Sequence, residues 1–342
     1  MKSLLLSLFY LGFGFTSFVF VLYSQETEDW TKRIEKKWGM EDDKKNEIQK
    51  KVKSENPIPV FLTQFQPVKQ EFPVNPTMEN QIVGKMGTKI TIPANSIALP
   101  MGYKRGDILT MELIEVYNDL DFITSGISLE YLNPNLNIFE SGGMFKLTAT
   151  YYDKPLNLKR GVKLKVEIPR LIDSDKKMKF YKLDEKEGWV DKGELSDSDT
   201  RPANSDSPRP NLLSKLMDDF KWWNCDYPNP DTTCIEGKII PYDANSPSTV
   251  TLVGLDYKNA ASRFAENNRF QVNAIKGKRV KLIVMDAIGN IGLSLELNTG
   301  TLDSSSEKKC TDIGTIQILK TDRSILKDRQ KLLNHLGLYD VR

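Results

Sequence analysis

Over much of the chain, apolar and polar residues alternate with a period of two. The clearest runs occupy residues 109–113, 145–151 and 162–168. Such alternation buries one face of a strand and leaves the other in water, which favours antiparallel sheets. Glycine, proline, asparagine and aspartate separate these runs at short intervals, so residues 57–195 are predicted to form a β-sandwich.

A second β-rich region follows at residues 223–320. Its predicted strands are 234–241, 249–255, 269–275, 279–286, 292–297 and 313–319. Short strands packed this densely along the chain are typical of a compact sandwich. The predicted fold class is therefore all-β, with two antiparallel β-sandwich domains and short helical segments at the N- and C-terminal ends.

Polar and helical segments surround the two predicted sandwiches. Residues 196–222 are rich in proline, serine, asparagine and aspartate, which predicts a linker, and residues 212–220 predict a short helix within it. Apolar residues at helical spacing predict an amphipathic helix in residues 321–342, docked on a sandwich. Residues 25–56 predict a charged helical prelude, for which a partner-binding helix is the alternative.

The first 24 residues have the pattern of an export signal. Lys2 precedes an apolar run over residues 4–22, and acidic residues follow immediately from Glu26. This order predicts a signal peptide cleaved after Ser24, with an uncleaved membrane anchor as the alternative. Either way, the remainder is expected to be exported to the periplasm, the cell surface or the medium. Membrane contact is expected only through this segment.

Charge and histidine content argue against several function classes. The 48 basic and 46 acidic residues leave a net charge of +2, without the clustered basic face of a nucleic-acid-binding protein. His335 is the single histidine, which disfavours a Ser-His-Asp triad or a catalytic zinc. No phosphate-binding or dinucleotide fingerprint occurs. We therefore expect no catalytic residues, no metal and no cofactor, and a carboxylate-only glycosidase is the remaining enzymatic alternative.

Two stretches resemble known exported β-domains. Residues 87–95, 106–108 and 140–147 are similar to bacterial domains loosely related to the ZU5 β-sandwich, over about residues 80–170. Residues 235–239, 268–270, 280–289 and 310–314 resemble the carboxypeptidase regulatory-like domain, a transthyretin-like sandwich, over about residues 232–320. These resemblances imply adhesion, scaffolding or accessory functions, and neither family supplies catalytic residues.

The chain has three cysteines, so an exported form is expected to contain one disulfide. Cys234 begins the first predicted strand of the second sandwich and Cys310 precedes its last, which favours a bond between these two. Cys225 would then keep its thiol. A bond from Cys225 to Cys310, a bond from Cys225 to Cys234, and no bond at all remain alternatives.

Trp222, Trp223 and Tyr227 form the densest aromatic cluster of the sequence. One interpretation is a ligand-binding platform, and the other is that these rings pack between the two sandwiches. The sequence as a whole favours a non-enzymatic binding or scaffolding protein with a protein or glycan partner at the cell envelope. A carbohydrate-binding accessory module is the alternative.

Overall fold

A computed structural model describes residues 57–132, 136–169, 176–197, 212–300 and 310–340. All of them belong to one compact unit of the chain, Val52–Arg342. Antiparallel strands dominate, which confirms the predicted all-β class. The predicted signal peptide, the charged prelude and most of the predicted linker lie outside the described residues.

The first sandwich is built from two sheets. Sheet A has the strand order β1-β4-β6-β13-β9-β10, with β5 and β7 also paired to β6. Sheet B has the order β11-β12-β8-β3-β2. Their strands are β1 (Gln70–Val74), β2 (Asn80–Val83), β3 (Lys89–Ile92), β4 (Leu109–Val116), β5 (Glu130–Leu132), β6 (Leu136–Tyr151), β7 (Lys154–Pro155), β8 (Leu164–Pro169), β9 (Lys179–Asp184), β10 (Gly188–Glu194), β11 (Ser196–Asp197), β12 (Leu212–Met217) and β13 (Trp222–Asn229).

The second sandwich also has two sheets. Sheet C has the order β17-β14-β21, and sheet D has the order β16-β15-β18-β19, with β20 paired to β18. Their strands are β14 (Thr232–Ile240), β15 (Ser248–Gly254), β16 (Ala260–Phe264), β17 (Arg269–Ile275), β18 (Arg279–Asp286), β19 (Ile291–Leu293), β20 (Leu297–Asn298) and β21 (Thr311–Gln317). The pairing of β14 with β21 is parallel, so the first and last strands of this sandwich lie side by side.

Each sandwich has its own core, formed by the inward-facing half of the alternating pattern. Phe145, Leu147 and Phe180 of sheet A pack against the apolar face of sheet B. In the second sandwich, Val272 of sheet C and Leu282 of sheet D lie in the corresponding cluster. The period of two therefore predicted which side chains enter these two cores.

One predicted helix is a strand. Residues 212–220 carry apolar side chains at nearly helical spacing, yet Leu212–Met217 forms β12 and pairs antiparallel with β8. The burial of Leu213 and Met217 in the core of the first sandwich outweighs a weak local helix preference. The next strand, β13, also differs from the prediction, because it pairs with β6 and β9 in the middle of sheet A. The first sandwich thus extends into the region predicted as linker and second sandwich.

The helices of the described residues are short. They are a 3-10 helix at Val60–Phe65, α1 at Asp119–Ser125, a 3-10 helix at Ile325–Lys327 and α2 at Arg329–Leu336. The side chain of Asp328 caps α2 by accepting from the backbone N–H of Lys331 at 2.9 Å. Gly337 ends it in the left-handed conformation with φ 68°, so the predicted C-terminal helix is shorter than residues 321–342.

Candidate functional site: the joint between the two sandwiches

A third hydrophobic core lies between the sandwiches, and we call the surfaces that meet there the joint. Sheet A contributes its outer face to the joint, and sheet D contributes its own outer face. The 3-10 helix Val60–Phe65, α1 and α2 cover the remainder. Buried members of this core include Leu62, Val116, Leu120, Phe122, Phe139, Met144, Tyr181, Val253, Ile283, Met285, Leu332, Leu333 and Leu336.

Sheets that are buried on both faces explain why two strands depart from strict alternation. Every residue of β15 is buried, and the run from Leu282 to Met285 in β18 is apolar without interruption. Continuous apolar runs are typical of strands with no face in water. This run was the sequence signal for a second buried face, and the alternation-based prediction overlooked it.

Buried carboxylates of sheet A meet cations of the second sandwich across the joint. Glu130 on β5 is 4% exposed and accepts hydrogen bonds from Arg263 of β16 and from Asn273 of β17. Glu140 on β6 is equally buried and lies 3.6 Å from the Lys278 ammonium. Lys176 of the first sandwich donates to the same carboxylate at 2.6 Å.

Helix α1 places two further carboxylates in the joint. Asp119 accepts from Lys258, in the turn between β15 and β16, at 2.6 Å. Asp121 accepts from Arg329 at the start of α2 at 2.9 Å. Asp340 holds the same guanidinium through two hydrogen bonds, of 2.9 and 3.0 Å. Across the joint, acids of the first sandwich thus pair with bases of the second sandwich and the C-terminal segment. Lys176 and Asp340 add ion pairs within their own side of the joint.

Backbone and amide hydrogen bonds reinforce these ion pairs. The backbone N–H of Ser141 donates to the carbonyl of Lys258 at 2.9 Å. Asn259 donates from its side chain to the carbonyl of Phe139 at 2.8 Å. Both bonds join β6 to the turn between β15 and β16, so the register between the sandwiches is fixed at this turn.

A buried polar cluster lies beside Ser141, where the pairing of β6 with β13 is interrupted by a bulge. Asp226 accepts a hydrogen bond from the side chain of Asn224, and the Ser141 hydroxyl donates to the side-chain amide oxygen of Asn224 at 3.1 Å. Within the described structure, the other carboxylate oxygen of Asp226 has no hydrogen-bond partner. The neighbouring Gly143 has φ 125°, and a side chain at this position would overlap the ring of Tyr117.

Burial and neighbouring charges act on these acids in opposite directions. Burial raises the pKa of Asp119 and of Asp121 above the ordinary value, although a paired cation opposes the shift in each case. The pKa of Glu140 is lowered overall. Burial alone would raise it, but the hydrogen bonds from Lys176 and Asn229 outweigh the effect of burial. Burial raises the pKa of Asp226 well above its usual range.

The predicted aromatic residues do not form one platform. Trp223 is 1% exposed and stacks on Phe180 with 4.7 Å between ring centroids, so it belongs to the core of the first sandwich. Trp222 points to the opposite face of β13, where it packs against the joint. Tyr227 is half-buried beneath Lys176, whose ammonium lies 4.7 Å from the ring centroid. Packing therefore accounts for Trp223 and Trp222.

The predicted disulfide is confirmed. Cys234 on β14 is bonded to Cys310 at the start of β21, with 4.4 Å between their Cα atoms. The parallel pairing of these two strands brings the cysteines together. Cys225 is buried in the first sandwich and lies outside the disulfide.

A surface cleft of about 440 Å³ opens where β10 and β12 approach each other, above Trp223. Three lysines line it, and two of them are already engaged within the protein. Lys215 donates to the carbonyl of Glu194 at 2.7 Å, and Lys192 lies 3.8 Å from Asp218. The third, Lys163, is exposed to solvent, so the cleft contains no buried charge that requires a ligand.

Two kinds of site are absent from the residues that the structure describes. No group of three or more histidine, cysteine, aspartate or glutamate residues there is arranged to hold a metal ion. No helix among those residues is both long and apolar enough to cross a membrane. In comparisons with known proteins, no family model matches the chain and no curated protein is significantly similar to it.

Proposed function

We propose that the protein is a non-enzymatic, exported binding or scaffolding module of the cell envelope or cell surface. In this proposal the two sandwiches act as one rigid body. The observation that carries it is the joint, in which an apolar core and buried ion pairs hold sheet A against sheet D. Contacts between domains are mobile by default unless the interface is large and hydrophobic. A protein that positions a partner gains from such a fixed arrangement.

The disulfide supports the export part of the proposal. Bonds such as that between Cys234 and Cys310 persist in oxidising compartments and are rare in reducing ones. The apolar run of residues 4–22 supplies the corresponding sorting signal. We also propose that the first sandwich is a ZU5-like domain and that the second is a carboxypeptidase regulatory-like domain. Carbohydrate binding loses its sequence-based argument, because Trp223 has no exposed ring face.

The test combines localisation with partner capture in the native organism. The protein is expected in an extracytoplasmic fraction, with its N-terminus near Gln25 by mass spectrometry. Photo-crosslinkers at exposed positions of both sandwiches, for example Leu216 and Leu295, should capture the same envelope protein. A cytoplasmic protein that retains Met1 would overturn the proposal. Capture of the envelope protein from only one of the two sandwiches would contradict the rigid arrangement.

A further inference from the structure

The tip of the first sandwich, which we define as residues 95–108 and 152–162, exposes an unusual set of side chains. Its two loops are tied together by backbone hydrogen bonds from Ala98 to Asn157 and from Lys159 to Ser96, each of 2.8 Å. The antiparallel register pairs Thr110 of β4 with Thr150 of β6. Both loops therefore leave sheet A at the same end.

Large apolar side chains at the tip point into solvent. Met101 is 104% exposed, Tyr152 is 77% exposed, Ile108 is 53% exposed and Leu99 is 36% exposed. Scattered exposed apolar residues are normal, but a group on two connected loops marks an interaction surface. Other large, strongly exposed apolar side chains are dispersed over both sandwiches and the C-terminal segment, for example Leu216, Leu295 and Tyr339.

The turn that carries Tyr152 is strained. Tyr152 has φ 47° and Asp153 has φ 61°, so both occupy the left-handed region that favours glycine and asparagine. Tyr152 contacts Tyr151 at 4.5 Å between ring centroids, and Tyr151 in turn contacts Tyr103 at 5.8 Å. The first contact is edge-to-face and the second is tilted, and together they support Tyr152 at the turn. Backbone strain of this kind is concentrated at functional sites, and here it holds an aromatic ring in water.

The tip is also strongly basic. It contains five exposed cations, Lys104, Arg105, Lys154, Lys159 and Arg160, and two acids, Asp107 and Asp153, so its net charge is 5 minus 2, or +3. The chain as a whole carries only +2. One of the acids, Asp107, is already engaged by Tyr151 and by the backbone N–H of Lys104. Within the described structure, none of the five cations forms an ion pair.

We propose that this tip docks on an anionic lipid bilayer surface. Methionine and leucine side chains gain from leaving water for the acyl region, and tyrosine rings favour the boundary between acyl chains and headgroups. Lysine and arginine beside them are attracted to lipid phosphates. A glycan would use the tyrosine faces, but Met101, Leu99 and Ile108 would offer its hydroxyl groups no hydrogen bonds. The whole set of side chains therefore fits a membrane surface best.

The test uses the exported form purified from the native organism and its sedimentation with vesicles. Binding is expected to vesicles of equal phosphatidylglycerol and phosphatidylcholine, to be weaker with phosphatidylcholine alone, and to fall at high salt. Two variants remove the apolar and the basic features separately: Met101→Ser with Tyr152→Ser, and Lys104→Glu with Arg105→Glu. Each should lower the vesicle partition coefficient about tenfold or more. The first variant removes two apolar side chains from the acyl boundary. The second removes two basic residues, each of which contributes a severalfold effect near an anionic surface. Leu295→Ser with Tyr339→Ser is the matched control and should bind like the parent.

A second measurement reports insertion directly and is independent of any N-terminal anchor. An environment-sensitive fluorophore on Met101→Cys should shift to the blue when anionic vesicles are added, and the same label on Leu295→Cys should not. Equal binding by the tip variants and the parent, or no blue shift at position 101, would overturn the proposal. Binding to a glycan or a purified envelope protein through the tip, without vesicle binding, would also overturn it.

Discussion

The ion pair between Glu130 and Arg263 provides the sharpest test of the joint. Glu130 is 4% exposed, whereas the Arg263 side chain is 24% exposed. Because the two partners differ in exposure, deleting one is not equivalent to deleting the other. Arg263→Met leaves a buried carboxylate with only Asn273 as its partner, whereas Glu130→Gln leaves a guanidinium that can reach water.

The magnitudes follow from this asymmetry. Removing one partner of a buried ion pair costs about 3–5 kcal/mol when the other charge stays buried, so Arg263→Met is expected in that range. Glu130→Gln retains an acceptor for Asn273 and is expected to cost about 1.5–3 kcal/mol, the value of a hydrogen bond to a charged group. The double variant should be less destabilised than the sum of the two, with a coupling of about 2 kcal/mol.

Equilibrium urea unfolding followed by tryptophan fluorescence measures these effects across the joint. The described tryptophans, Trp189, Trp222 and Trp223, all lie in the first sandwich, whereas Arg263 lies in the second. With a slope near 3 kcal/mol/M, Arg263→Met should lower the fluorescence midpoint by about 1 M. A midpoint equal to that of the parent would refute the coupling between the sandwiches.

Arg279→Met is the matched control for Arg263→Met. Arg279 lies 3.6 Å from Glu296, with both side chains more than half exposed. Exposed pairs contribute about 0–1 kcal/mol, so this variant should unfold close to the parent. If Glu130→Gln proved more destabilising than Arg263→Met, the argument from unequal burial would be wrong.

Three further predictions concern other parts of the fold. Replacing Cys234 and Cys310 by serine should lower the free energy of unfolding by about 4 kcal/mol, measured against the oxidised parent in urea, because the bond closes a long loop. Asp226 has a raised pKa, so the native state keeps its proton while the unfolded chain loses it, and stability should fall as pH rises above about 4. Asp226→Asn should flatten that slope in unfolding curves recorded between pH 5 and 8.5, and an unchanged slope would exclude Asp226 as its source. Trp223→Ala should lower the free energy of unfolding by about 3–5 kcal/mol, because it leaves a cavity in the core. Trp222→Ala, at a half-buried position, should lower it less. Calorimetry that ranks the two variants in the opposite order would contradict the packing described for β13.

Local patterns were sufficient for most of the strands. The predicted strands at residues 269–275 and 279–286 agree with the structure, since their length and alternation match a sheet with one face in a core. The disulfide was also within reach, because an exported chain with three cysteines has few possible pairings. Ala260–Phe264 was missed as a strand, since its short sequence has no clear alternation.

The sequence by itself determined the fold class, the inward face of most strands and the favoured cysteine pair, because these depend on short-range periodicity and on cysteine count. Only the tertiary structure decided that β12 is a strand, since its pairing with β8 overrides a helical pattern of leucines. It also decided that Trp223 faces a core and that Glu130 meets Arg263, residues separated by 133 positions in the chain. A carboxylate in a sequence carries no mark of its distant partner, because burial and ion pairing arise only when two surfaces meet.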